Sequence, residues 1–150
     1  MGYAITGKDL EGLSEEQQAA IMESLLLAVA ADRKATADEA KLFEDELNAI
    51  PWTLAPDKVM KMVMAARDRV FARKTPAEAT SLVQQIGERL TDPSLRTKVY
   101  HAVATIMLTD HDITDREQQI MKAYGAAFGL ERGDIEAIEA DLGADLPSPS

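Results

Sequence analysis

The chain has 150 residues, 46% of them apolar, which is enough material for one ordinary domain with a buried core. Its formal charge of −10 argues against nucleic acid as a partner, because such binding is driven by Lys and Arg displacing counterions from phosphate. With no Cys, neither disulfides nor thiolate metal sites can form. The charge is unevenly spread: residues 1–50 carry −7, residues 51–100 carry +4 and residues 101–150 carry −7. The first residues lack a basic stretch followed by an apolar one, and no apolar run approaches the roughly 18 residues of a membrane span. A cytoplasmic protein without a transmembrane segment is therefore expected. Met1 to Thr6 formally match the acylation pattern M-G-x-x-x-[ST], but only Lys8 follows, so the second, polybasic anchor is missing.

Along the chain, helix starts announce themselves by a short hydroxyl or Asp side chain, often with Glu or Gln three residues later. Ser14 with Gln17, Thr36 with Glu39, Thr75 with Glu78 and Thr114 with Glu117 fit the capping box, in which each partner satisfies a backbone N–H of the other. Pro76 and Pro93 follow Thr75 and Asp92 at the first helical position, where the missing N–H is harmless. Helices are predicted at about 14–31, 37–49, 56–73, 76–90, 93–109, 115–128 and 131–142. Core-facing stripes are read as Ile21, Leu25, Ala28 and Val29 in the first, and as Met60, Val63, Met64, Arg67 and Phe71 in the third. In the fifth they are Val99, Val103, Ile106 and Met107. Ile50-Pro51-Trp52 ends the second helix and Gly129 the sixth. The expected fold is all-α, a single compact domain of about seven helices over 14–142, with an N-terminal arm at 1–13 and a flexible tail at 143–150.

A doubled motif is the strongest internal signal. Asp32, Thr36 and Glu39 recur as Asp110, Thr114 and Glu117 at a constant offset of 78, each set between two apolar helices. Leu42 and Phe43 align with Ile120 and Met121. One such period suggests two pseudo-two-fold related halves rather than a solenoid, with the two motif loops on the same side.

At these residues the chain resembles the TerB family of tellurite-resistance proteins and its relatives, which include the N-terminal domain of DjlA-type co-chaperones. The family pattern is an apolar helix ending in Ala-x-x-Asp-Gly, then a loop with Ile-Thr and a Glu three residues on. It reads here as Ala28 to Glu39 and again as Ala104 to Glu117, followed by Phe128-Gly129-Leu130. The resemblance, over roughly residues 20–142, implies a helical fold with two-fold pseudosymmetry, an acidic loop cluster, and association with metal and stress response without an established reaction. The Gly after the first Asp is Arg33 in one half and His111 in the other, and Lys34 stands where the second half has Asp112. Metal binding is thereby expected mainly of the second half.

The candidate metal ligands are Asp110, Asp112, Glu117, Asp32 and Glu39, all oxygen donors suited to a hard cation such as Ca²⁺, Mg²⁺ or Mn²⁺. His111 adds one imidazole, and the spacing is not that of an EF-hand. Two bland accounts compete: Glu39 and Glu117 as helix caps only, or the whole acidic cluster as a patch that docks a basic protein. A capping Glu has two oxygens, so these readings can coexist. No organic cofactor is expected, and no catalytic pattern is present: G-x-S-x-G, H-E-x-x-H, P-loop, Rossmann glycines and the E-x-x-H pairs of di-iron bundles are all missing. The chain is expected not to be an enzyme.

Other residues have structural explanations of their own. Met60 and Met64 lie at core spacing, which favours packing over soft-metal ligation by Met60, Met62 and Met64. Lys58, Lys61, Arg67, Arg69, Arg73 and Lys74 read as a solvated face balancing the acidic segments, with an anionic partner or peripheral membrane association as the functional alternative. His101 reads as a satisfied, partly buried histidine rather than a base, and Trp52 as a core or inter-half anchor, with an exposed partner-binding role as the alternative. A protein partner is expected, its identity open.

Overall fold

The computed structural model describes residues 3–30, 37–108 and 114–143, without the side chains of residues 37–40 and 42. Among these residues there are eight helices and no strand: α1 (Gly7–Leu10), α2 (Glu15–Ala30), α3 (Ala37–Ala49), α4 (Pro56–Phe71), α5 (Pro76–Arg89), α6 (Pro93–Met107), α7 (Asp115–Ala127) and α8 (Arg132–Leu142). Seven match the sequence-based elements. The extra one, α1, is a single turn opened by a Thr6–Asp9 capping box, whose Asp9 carboxylate accepts from the Thr6 N–H at 2.8 Å. It seats Ile5 and Leu10 in the core.

The caps work locally as their spacing implies. Gln17 and Ser14 exchange hydrogen bonds at 3.0 and 3.2 Å, and Glu117 and Thr114 at 3.0 and 3.1 Å. Thr75 caps α5, but the Glu78 carboxylate accepts from its hydroxyl rather than its backbone N–H. The Thr36–Glu39 pair lies outside the described residues and side chains. Gly129, at φ 64°, ends α7 in a Schellman motif: its N–H reaches the Ala126 carbonyl and the Leu130 N–H reaches that of Gly125.

Helix α2 is the axis of the fold. Every residue from Ala20 to Ala28 is buried, and α2 packs against α3, α4, α5 and α6. A helix apolar on all sides has no single inner face, so it must be surrounded. Helix α7 closes against α5 at a glycine: a Cβ at Gly87 would lie 2.8 Å from the Ala127 carbonyl oxygen. Helix α8 rests on α6 and buries Ile135 and Ile138 fully.

The face of α4 is a correction. Met60, Met64 and Phe71, read from their spacing as core, are exposed at 60%, 62% and 54%, while Met62, Ala66 and Val70 are buried. The helix carries two apolar stripes, and α2 meets the one that also brings Lys58 and Arg69 to its acidic side chains.

Candidate functional site

The two motif loops follow α2 and precede α7. Leu27 and Ala30 at the end of α2 line one cavity of about 380 Å³ together with Arg116 in the first turn of α7, Phe71 at the end of α4 and Arg73 just after it. The described residues near segments 31–36 and 109–113 thus line one cavity. Asp32, Asp110 and Asp112 lie outside the described residues. Glu39 falls in the first turn of α3, its side chain undescribed. Glu117 is described: it is 2% exposed, and its Oε1 accepts the Thr114 N–H in the capping box. Among the described residues no three His, Asp or Glu side chains converge in a way that could hold a metal ion.

Two charged clusters escaped the sequence reading. The carboxylate of Glu23, 1% exposed within the apolar run of α2, takes two guanidinium groups. Arg89 of α5 approaches it at 2.5 and 3.1 Å and Arg69 of α4 at 2.7 Å. A buried carboxylate is tolerable only when paired and hydrogen-bonded, and here the pairing ties α2, α4 and α5 together. Arg96, in the first turn of α6, donates to the carbonyls of Leu90, Gly87 (2.6 Å) and Phe128 (3.3 Å), closing the C-terminal ends of α5 and α7 with one cation. The only advance signal was a Glu inside an apolar run; nothing local marked the arginines.

The remaining sequence candidates resolve into structural roles. His101 Nε2 lies 2.7 Å from Asp141 Oδ2, and its ring stacks on Tyr3 at 4.4 Å, as a satisfied, partly buried histidine should. Glu46 lines the same cleft; burial pushes its carboxyl pKa up, against the pull of His101 and with a smaller push from Asp45. Trp52 is half-buried against the core and donates from Nε1 to the Leu47 carbonyl at 3.0 Å. Of the basic residues on α4, Lys58 pairs with Glu15 at 3.1 Å and Arg69 with Glu23, which balances the acidic side of α2.

The family model for tellurite resistance protein TerB matches residues 18–140, from the first turn of α2 to the last turn of α8. The chain belongs to the TerB family. No curated protein and no solved structure matches it. The TerB match spans both motifs and the Phe128-Gly129-Leu130 turn, and it leaves α1 outside. No helix among the described residues is long and apolar enough to cross a membrane.

Proposed function

We propose that this TerB-family chain is a non-enzymatic cytoplasmic module that holds a divalent cation, Ca²⁺, Mg²⁺ or Mn²⁺, at the pole of its two motif loops during metal or oxyanion stress. The observation that supports this reading is the shared cavity of Ala30 and Arg116, since the loop carrying Asp32 and the loop carrying Asp110 and Asp112 adjoin those residues. The donor chemistry agrees: the motifs offer carboxylates and no thiols, a hard-cation set. The second motif carries the affinity, because Lys34 occupies the place that Asp112 takes there. Arg116, within the second motif, supplies a counter-charge, and Glu117 caps the start of α7.

Thermal melting of the full chain with each of the three cations tests this. At about a hundredfold over the dissociation constant, one site adds roughly 2.7 kcal/mol, a rise of about 5–10 °C for a chain of this length. Asp110→Asn combined with Asp112→Asn abolishes that rise, whereas Glu39→Gln leaves it. Glu117→Gln keeps the capping box, melts nearly normally without metal, and loses most of the rise. No shift with any cation overturns the metal reading. Salt-sensitive binding of a basic protein through the same carboxylates would then replace it.

A further inference from the structure

Helix α4 turns a second apolar stripe to solvent. Met60, Met64, Arg67 and Phe71 follow one another at spacings of four, three and four, so they share one helix face. All four are exposed, with the Arg67 guanidinium 5.9 Å from the centre of the Phe71 ring. Beside the stripe runs a groove of about 360 Å³ lined by Leu47, Trp52, Leu54, Val59, Met60 and Val63. Contiguous exposed apolar surface of this kind marks a contact site more often than isolated residues do.

The charges around the stripe distinguish its occupant. Lys58 and Arg69, both half-exposed, pair with Glu15 and Glu23 towards α2; the other charged residues of α4, Asp57, Lys61, Arg67 and Asp68, are exposed, two of each sign. On a chain of net charge −10 this face is locally neutral, so a second copy meets the least repulsion there. The order of residues is also self-complementary. Pairing α4 antiparallel with a copy of itself about a two-fold axis close to Met64 sets Met64 against Met64 of the second copy. The same register brings Met60 towards Phe71 of the second copy and Lys61 towards its Asp68, each contact occurring twice, as a closed two-fold interface requires. A strongly anionic partner would face Asp57 and Asp68, and a flat membrane would leave the groove unfilled.

We propose that the outer face of α4 is a homodimer interface, in which antiparallel α4 helices pair through Met60, Met64 and Phe71 with reciprocal Lys61–Asp68 ion pairs. One helix face and its flanking groove place the contact in the small, reversible class of interfaces, with micromolar affinity. The interface requires no metal, although Phe71 also lines the cavity shared by Ala30 and Arg116.

Sedimentation equilibrium of the full chain from about 1 µM to about 500 µM reads this directly, with thermal melting of each variant at low concentration confirming that it folds. The expected result is a monomer–dimer equilibrium that Met64→Glu weakens by at least roughly tenfold. Lys61→Asp and Asp68→Lys each weaken it, and the double exchange of the two residues restores it. A chain that stays monomeric throughout overturns the proposal. So does a dimer indifferent to Met64→Glu, or one weakened by both single charge reversals but not rescued by the exchange. Binding of the monomer to anionic phospholipid vesicles that is lost in Met64→Glu would assign the face to a membrane and overturn it as well.

Discussion

Helices α2 and α4 are both 16 residues long and pack against each other, but they are built by opposite rules. Helix α2 is buried throughout Ala20–Ala28 and takes polar groups inside: Gln18 bonds the Thr53 hydroxyl at 2.7 Å, Ser24 the Ala20 carbonyl at 3.0 Å, and Glu23 its two arginines. Helix α4 buries only Met62, Ala66 and Val70 and leaves equally apolar residues in water. The contrast teaches that apolar content does not measure burial. In α2 the sequence is apolar all round and the neighbours follow; in α4 two stripes compete and the neighbours choose.

The widest separation between the two helices should appear when each loses a large apolar side chain. Leu25→Ala removes a fully buried side chain of α2, and a cost of about 3 kcal/mol is expected, a fall of roughly 6–12 °C in melting temperature. Urea denaturation with an unchanged slope would confirm a loss of stability rather than of structure. An effect well below 1 kcal/mol would break the picture of α2 as the axis.

Next in size is the ion cluster that joins the two helices. Glu23→Ala strands the Arg89 guanidinium, whose side chain is 21% exposed, and should cost about 3 kcal/mol. Arg69→Ala removes a half-exposed partner already screened by water and should cost no more than about 1 kcal/mol. Equal losses from the two would mean that α4 is held to α2 more through this charge than through its buried stripe.

A smaller effect comes from the contact of α5 with α7 at Gly87. Gly87→Ala adds a methyl 2.8 Å from the Ala127 carbonyl oxygen, and the two helices must part slightly, at a cost of about 1–3 kcal/mol. Chemical denaturation of this variant against Gly133→Ala, where a Cβ meets nothing within 4 Å, isolates the clash.

The pH dependence should be smaller still and should lie outside both helices. Burial works against ionised Asp9, but the Lys98 ammonium at 2.7 Å and the Thr6 N–H and hydroxyl together hold its pKa below the ordinary 3.8. A depressed folded pKa gives stability that is present above about pH 4 and is lost as the pH falls through the lower folded value. Asp9→Asn should therefore cost about 1 kcal/mol at neutral pH and flatten the acid limb of the stability curve below pH 4. Smallest of all, Met64→Ala in dilute solution should change stability by less than about 0.5 kcal/mol, as for any exposed position.

Helix positions and ends were legible because the signals for them are local. Ser14, Thr75, Pro93 and Thr114 each satisfy or spare backbone groups within three residues of themselves, so the chain need know nothing of its distant parts. The same holds for Gly129, whose positive φ ends α7. The candidate metal residues were legible only as a repeated pattern of carboxylates, since coordination is a property of how two loops 78 residues apart meet.

What the sequence by itself determined is an all-helical chain of the TerB family, with its starts, stops and doubled acidic motif. What only the tertiary structure decided is which apolar stripe of α4 is core, that Glu23 answers arginines 46 and 66 residues away, and that Arg96 closes the ends of two other helices. The physical reason is range. Capping and helix termination are settled by hydrogen bonds within a few residues, whereas burial and ion pairing depend on which surfaces the whole chain brings into contact, and two stripes of equal hydrophobicity on one helix carry no local mark of which will be covered.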